Sequence, residues 1–279
     1  MKLSTLCAQM IIYDDDQYLD LAIEPLLKYT DRILILCNTK PFNTVPGKVY
    51  DNSAMREKLA KLAQDEPKIL LEVGSWATEE EERQWGVERA KQLGYTYSLI
   101  VDTDEIYEPA DLFRLNQILE NNEQVCQGYW IFHATWKTYW KMDPPHVINP
   151  PEAFNPIICV RNANAQFVHL RHAVPLEFSK PSPDANKGRV TLPKELVTLH
   201  HMSYARTDEF IERKCQESGH SANGDLMANW FEEVWKVWNP SLKNLHPING
   251  PQYQKATEVD LNLLPSKLKT YFEKKMWKK

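Results

Sequence analysis

The sequence predicts an α/β protein: a mainly parallel sheet flanked by helices, followed by a mixed antiparallel and helical part. Three observations carry this. Apolar runs of strand length alternate with segments of helical periodicity through residues 1–124, the pattern of βα crossover units. After Val125 the alternation stops, and Tyr129-Trp-Ile-Phe-His-Ala-Thr-Trp-Lys-Thr-Tyr-Trp140 repeats at period two instead. Finally, Tyr97-Ser-Leu-Ile-Val101 runs straight into Asp102, Asp104 and Glu105. A buried parallel strand ending in carboxylates puts them on the sheet edge where open α/β folds bind ligands.

The elements follow in order. Leu3 to Tyr13 reads as a strand that stops at Asp14 to Asp16, and Tyr18, Leu19, Ala22, Ile23, Leu26 and Leu27 then recur at helical spacing. Arg32 to Cys37 is a second buried strand, and a loop with Pro41, Pro46 and Gly47 leads to a helix over Ser53 to Gln64. Lys68 to Val73 is the third strand. Thr78 and Glu81 form a T-x-x-E capping box, so a helix starts there and ends near Leu93, with Gly94 closing it. The carboxylate-ending strand is fourth, and Pro109 suits the first position of a helix reaching Asn121. In the second half, Tyr129 to Trp140 reads as a strand pair and Pro144 to Pro156 as loop. Ile157 to Arg161 and Phe167 to Arg171 read as an antiparallel pair, Lys180 to Gly188 as a surface loop and Leu196 to Tyr204 as a strand. Helices over Asp208 to Glu217 and Asp225 to Val237 follow.

Composition narrows the class. With 43% hydrophobic and 25% charged residues among 279, the chain matches an ordinary soluble domain. A net charge of -5 argues against nucleic-acid binding by bulk electrostatics. Five scattered cysteines without a CxxC or zinc spacing suggest buried thiols in a reducing compartment, and no apolar run is long enough to span a bilayer. The expectation is a cytoplasmic protein. The stretch Lys267 to Lys279 is a basic amphipathic helix candidate that offers weak peripheral contact with an anionic membrane.

Two hard oxygen ligands, Asp102 and Asp104, suit Mg²⁺ or Mn²⁺, ions usually completed by substrate phosphates. Asp14 or Asp15 and Asn38 end neighbouring strands on the same edge, and Arg83 sits early in the helix before the carboxylate strand, able to grip a diphosphate. His200 and His201 end a later strand on opposite faces, so at most one joins the site. Trp130, His133, Trp136 and Trp140 could line an acceptor cleft, with alternation putting Trp130 and Trp136 on one face.

These residues together resemble the GT-A glycosyltransferases of the family-two type, over the chain to about residue 220. Asp31-Arg-Ile-Leu-Ile-Leu36 is similar to that family's opening and Arg83-Gln-Trp-Gly-Val-Glu-Arg-Ala90 to its "RN…A" helix. Ile100-Val-Asp-Thr-Asp-Glu105 is similar to its DxD strand and His201-Met-Ser203 to its late "HxS" segment, which favours His201 over His200. The resemblance implies a UDP- or GDP-linked sugar donor and a saccharide or other hydroxyl acceptor. It also implies a metal held by Asp104 and His201, with Asp102 contacting the ribose or the metal, and a nucleoside held by Asp14 or Asp15 with Asn38. It favours inverting transfer, with a carboxylate base at Glu177, where Leu176 stands in place of the family's histidine; Glu152 and Glu195 compete for that role. On this reading 1–124 binds the nucleotide sugar, 125–220 binds the acceptor, and 221–279 is a helical C-terminal extension. A haloacid-dehalogenase-type phosphatase is disfavoured by Ile106, a nucleotidyltransferase by the lack of a Gly-rich opening loop, and an EF-hand by Tyr107 at the glycine position. The non-enzyme alternative is a carbohydrate- or nucleotide-binding protein with the same fold.

Overall fold

The first apolar run forms β1 (Leu6–Ile12), buried along most of its length and ended by the Asp14 to Asp16 run. α1 (Leu19–Tyr29) turns Leu19, Ala22, Ile23 and Leu26 inward, and β2 (Arg32–Asn38), α2 (Ser53–Asp65) and β3 (Ile69–Gly74) follow. α3 (Glu79–Gln92) is capped as expected: the Thr78 side chain accepts from the Glu81 N–H, and Glu81 reaches back to the Ala77 N–H at 3.0 Å. Gly94 closes it with a φ of 86°, a conformation glycine adopts without a steric penalty. β4 (Tyr97–Asp102) completes the βα series.

The computed structural model describes residues 4–44, 46–125, 128–150, 155–180, 186–217, 225–248 and 250–276. Cys126, Glu152 and residues 181–185 of the proposed surface loop lie outside them. The remaining elements are β5 (Glu105–Tyr107), α4 (Pro109–Gln124), β6 (Ile131–His133), β7 (Thr135–Met142), β8 (Pro145–Asn149), β9 (Ile157–Arg161) and β10 (Ala165–His169). Then come β11 (His172–Pro175), β12 (Arg189–Thr191), β13 (Thr198–Tyr204), α5 (Asp208–Glu217), α6 (Asp225–Trp230), β14 (Lys255–Glu258) and α7 (Ser266–Met276). Cys7, Cys37, Cys159 and Cys215 are buried free thiols.

The architecture is mixed α/β with a mainly parallel central sheet. Its seven strands run in the order β12-β6-β9-β4-β1-β2-β3, and β9 alone runs against the rest. A second sheet has the order β14-β8-β7-β13-β5, and β10 with β11 forms a separate hairpin.

The chain passes between the two large sheets at Thr103-Asp104, between β4 and β5, and again at Ala134, between β6 and β7. The first passage lies where the strand was expected to end in carboxylates. The second corrects an expectation: Tyr129 to Trp140 is not a self-pairing strand pair, because period-two alternation looks the same whichever sheet a strand joins. Ile157 to Arg161 likewise pairs with β4 and β6 rather than with Phe167 to Arg171. The Pro144 to Pro156 loop contains β8, whose flanking prolines mask a short strand with only Val147 and Ile148 as apolar residues between them. Residues 1–124 and 125–220 therefore interleave: β9, β6 and β12 complete the first sheet, while β5 caps the second.

The last segment adds a strand, β14, as well as helices. α7 buries Leu268 and Phe272 completely against Tyr18, Ile106 and Tyr139. The apolar stripe expected to meet a membrane thus faces the protein core. Among the described residues, no helix is long and apolar enough to cross a membrane.

Candidate functional site

β4 delivers Asp102 to the sheet edge, where two guanidiniums meet it. Arg83 Nη2 lies 2.7 Å from Asp102 Oδ1, and Arg171 Nη1 lies 3.2 Å from Oδ2. Burial alone would lift this carboxyl, but Arg83 and Arg171 outweigh it and hold it at about 2. Arg83 also pairs with Glu79 at 2.9 Å. Its helix lies close on β1 because Gly86 has no side chain: a Cβ there would fall 2.2 Å from the Gln9 amide, which donates to the Arg83 carbonyl. Arg171 comes from the two-residue turn of the β10–β11 hairpin and also pairs with Glu105, which is fully buried. Glu105 accepts further hydrogen bonds from Trp136 Nε1 at 3.0 Å and the Asp102 N–H at 2.9 Å.

Asp104 sits one step further, in the passage between sheets, tied to β13 by its carbonyl, which accepts from the Met202 N–H at 2.8 Å. Period two along β13 puts His201 and Ser203 on the side of Asp104. His201 Nε2 lies 3.8 Å from Asp104 Oδ1, and the imidazole stacks on Trp136 with centroids 4.1 Å apart. Burial lowers the His201 pKa to about 4, leaving it neutral at pH 7. His200 points the other way, to the Tyr139 hydroxyl at 2.9 Å. Just past β13, Arg206 holds Asp15 through two contacts, at 2.8 and 2.5 Å, and stands 3.5 Å from Asp104 Oδ2. Asp14 pairs with Arg213 of α5 at 2.7 Å. Burial would raise the Asp104 carboxyl, but Lys214 and Arg206 help keep it below the usual carboxylate range.

Two cavities meet here. The smaller, about 230 Å³, opens over the ends of β1 and β2 and is walled by Tyr13, Asp14, Asp15, Phe42, Glu82 and Phe210. The larger, about 580 Å³, is walled by Asp102, His133, Trp136, Arg171, His172 and His201. Asp104 and Lys214 line both.

The structure brings together Asp14, Asp15, Arg83, Asp102, Asp104, His201 and Trp136. Asn38 also borders the smaller cavity, but its amide is engaged with Trp76, donating to the carbonyl at 3.0 Å. Trp130 does not join Trp136: the sheet change at Ala134 breaks the alternation, and Trp130 packs beside Gly188 and the apolar cluster around Ile131. Glu177 is exposed in the turn after β11 and lines neither cavity, and Glu195 is likewise exposed.

The residues fit a divalent ion only in part. Asp102, expected as a ligand, has each oxygen occupied by a guanidinium, and among the described residues no three His, Cys, Asp or Glu side chains converge on one point. Asp104 and His201, 3.8 Å apart, remain as a two-ligand set. That suits Mg²⁺ or Mn²⁺ completed by phosphate oxygens.

Sequence reasoning missed Arg171, Arg206, Arg213 and Lys214. Arg206 follows an apolar strand end on the predicted edge and Arg213-Lys214 falls on a predicted helix, so both carried a weak positional signal. Arg171 carried none, because its place depends on the hairpin folding back under β4.

No family model matches the chain, and no curated protein matches it. Among solved structures, a crystal structure of S. aureus TarS 1-349 aligns with 82% of this chain and 70% of its own, at 10% identity and a TM-score of 0.43. A second TarS structure aligns with 82% of this chain and 43% of its own, at 12% identity and a TM-score of 0.41. Similarity this loose leaves the reading of the site to the chain's own residues.

Proposed function

We propose that the protein is a GT-A-type glycosyltransferase that moves a sugar from a UDP- or GDP-linked donor to a hydroxyl of a saccharide acceptor. One observation carries the reading: two unlike cavities meet at Asp104 on the carboxyl edge of a mainly parallel sheet. The smaller has aromatic walls and carboxylates suited to a base and a ribose. The larger, with Trp136 stacked on His201, suits a sugar ring.

In this reading Asp14 and Asp15 border the ribose, and their arginine partners fix where they stand. Arg83 and Arg171 hold Asp102 ionised at the junction. Asp104 and His201 would hold Mg²⁺ or Mn²⁺, which supplies positive charge to the departing diphosphate. An inverting transfer also needs a carboxylate base on the acceptor side. With Glu177 elsewhere, the described carboxylates lining that cavity are Glu79, Asp102 and Asp104.

The test is nucleotide release from a panel of nucleotide sugars with Mn²⁺. One donor should be turned over, with release falling on the order of 10²-fold or more in Asp104→Ala and on adding EDTA. Silence across the panel, with no nucleotide binding, would leave the non-catalytic carbohydrate-binding reading. Once an acceptor is known, Trp136→Phe, which removes the hydrogen bond to Glu105, should raise acceptor KM roughly three- to tenfold while donor hydrolysis holds. Equal losses in both would place Trp136 outside the acceptor subsite.

A further inference from the structure

Arg83, Arg171, Arg206, Arg213 and Lys214 stand among the carboxylates of the site, and the four arginines are already paired with them. Arg83 pairs with Glu79 and Asp102, Arg171 with Asp102 and Glu105, Arg206 with Asp15, and Arg213 with Asp14. Lys214 differs. Its Nζ donates to the Ser203 hydroxyl, and among the described residues it has no carboxylate oxygen within 4.0 Å. It is largely sheltered in the fold, and an ammonium taken out of water without a counter-charge in contact is unfavourable unless a ligand supplies one.

Its position bears on the kind of ligand. Phe210, Arg213, Lys214 and Glu217 recur at i, i+3, i+4 and i+7 on α5 and form one wall of the smaller cavity, so this face of the helix is laid against whatever fills it. Of these four, Lys214 alone also lines the larger cavity. A molecule spanning both cavities passes Lys214 at the neck, and in a nucleotide sugar the group between nucleoside and sugar is the diphosphate.

We infer that Lys214 binds the donor's diphosphate, with Ser203 holding the ammonium at the neck. The inference rests on the nucleotide-sugar reading above and adds to it a fixed protein cation, separate from any ion at Asp104 and His201. Lysine suits the task as a compact point charge with three donors, able to follow phosphate oxygens as the bond to the sugar breaks.

Calorimetric titration of the full chain tests it, using UDP, GDP, uridine and guanosine in Mn²⁺ buffer. Lys214→Met should weaken the bound nucleoside diphosphate tenfold or more and leave the matching nucleoside within twofold, and Lys214→Arg should recover most of the loss. The Arg variant and a thermal melt of each protein separate a lost contact from a lost fold. Diphosphate affinity unchanged in Lys214→Met, or equal losses for diphosphate and nucleoside, would overturn the inference while leaving the transferase reading in place. Lys214-dependent diphosphate binding without turnover of any donor would do the reverse, and no binding by the wild type would overturn both.

Discussion

Replacing Arg171 with methionine should lower folding stability by about 3–5 kcal/mol, the range for removing one partner of a buried ion pair. Arg171 leaves the β10–β11 turn and makes two ion pairs and two hydrogen bonds to carbonyls. It pairs with Asp102 and Glu105, and donates to the carbonyls of Ile100 at 2.9 Å and Ile157 at 2.8 Å. It therefore ties β4, β5 and β9 to a hairpin that otherwise stands outside both sheets. Methionine preserves much of the apolar stem and removes every donor. Glu105, with no exposed surface, would then face Asp102 with only the Trp136 and backbone donors left, and would have to take up a proton. Chemical denaturation at pH 7 reads the loss. Adding Glu105→Gln to the Arg171→Met protein should return part of it, because the second substitution removes the stranded charge; a double variant no better than the single would show that the pair is not the source. A loss below about 1 kcal/mol would mean that the hairpin, and Arg171 with it, is loosely held.

Arg171 also marks where a linear reading stops. The βα alternation, the Thr78 capping box and the carboxylate-ended strand were legible because each is a local pattern: periodicity, a cap three residues from its partner, apolar residues ending in charge. The resemblance in the His201-Met-Ser203 segment favoured His201 over His200, and His201 is the one that faces Asp104. The passages between sheets were not legible. Thr103-Asp104 and Ala134 carry no glycine or proline to announce them, yet they set the site by turning Asp104 toward β13 and separating Trp130 from Trp136. The cations were hidden for a related reason. Arg171 reaches Asp102 from a hairpin turn, Arg206 reaches Asp104 from a strand end, and Lys214 joins the same site from a helix far along the chain; no spacing relates those places. The two-arginine clamp on Asp102 was equally out of reach of a linear reading, and it occupies the oxygens with which Asp102 was expected to meet a ribose or a metal.

Glu82 should make the protein progressively less stable, relative to a Glu82→Gln variant, as pH rises from about 5 to about 8.5. The side chain is 1% exposed, and its Oε1 has no hydrogen-bond partner among the described residues. Burial pushes its pKa up from 4.5 to about 9, with Arg83 only partly opposing the shift. The folded protein thus keeps the proton that the unfolded chain releases near 4.5. Below that pH both states are protonated and the carboxyl carries no penalty. Between 4.5 and 9 the unfolded chain gains by ionising, so stability falls with rising pH by up to 1.4 kcal/mol per unit; above about 9 both states are ionised and the slope ends. At pH 7 this amounts to a loss on the order of 3 kcal/mol at most. Glutamine has the same shape and no proton to release, so it removes this slope while leaving those of the other carboxylates in place. Denaturation midpoints for both proteins should lie close together at pH 5 and separate steadily toward pH 8.5, with the glutamine variant the more stable. Parallel curves would mean that Glu82 is ionised in the folded state, with Arg83 compensating its charge at the wall of the smaller cavity. The neutral form instead keeps negative charge away from the place where a donor's base would lie, and leaves Arg83 to Asp102 and Glu79.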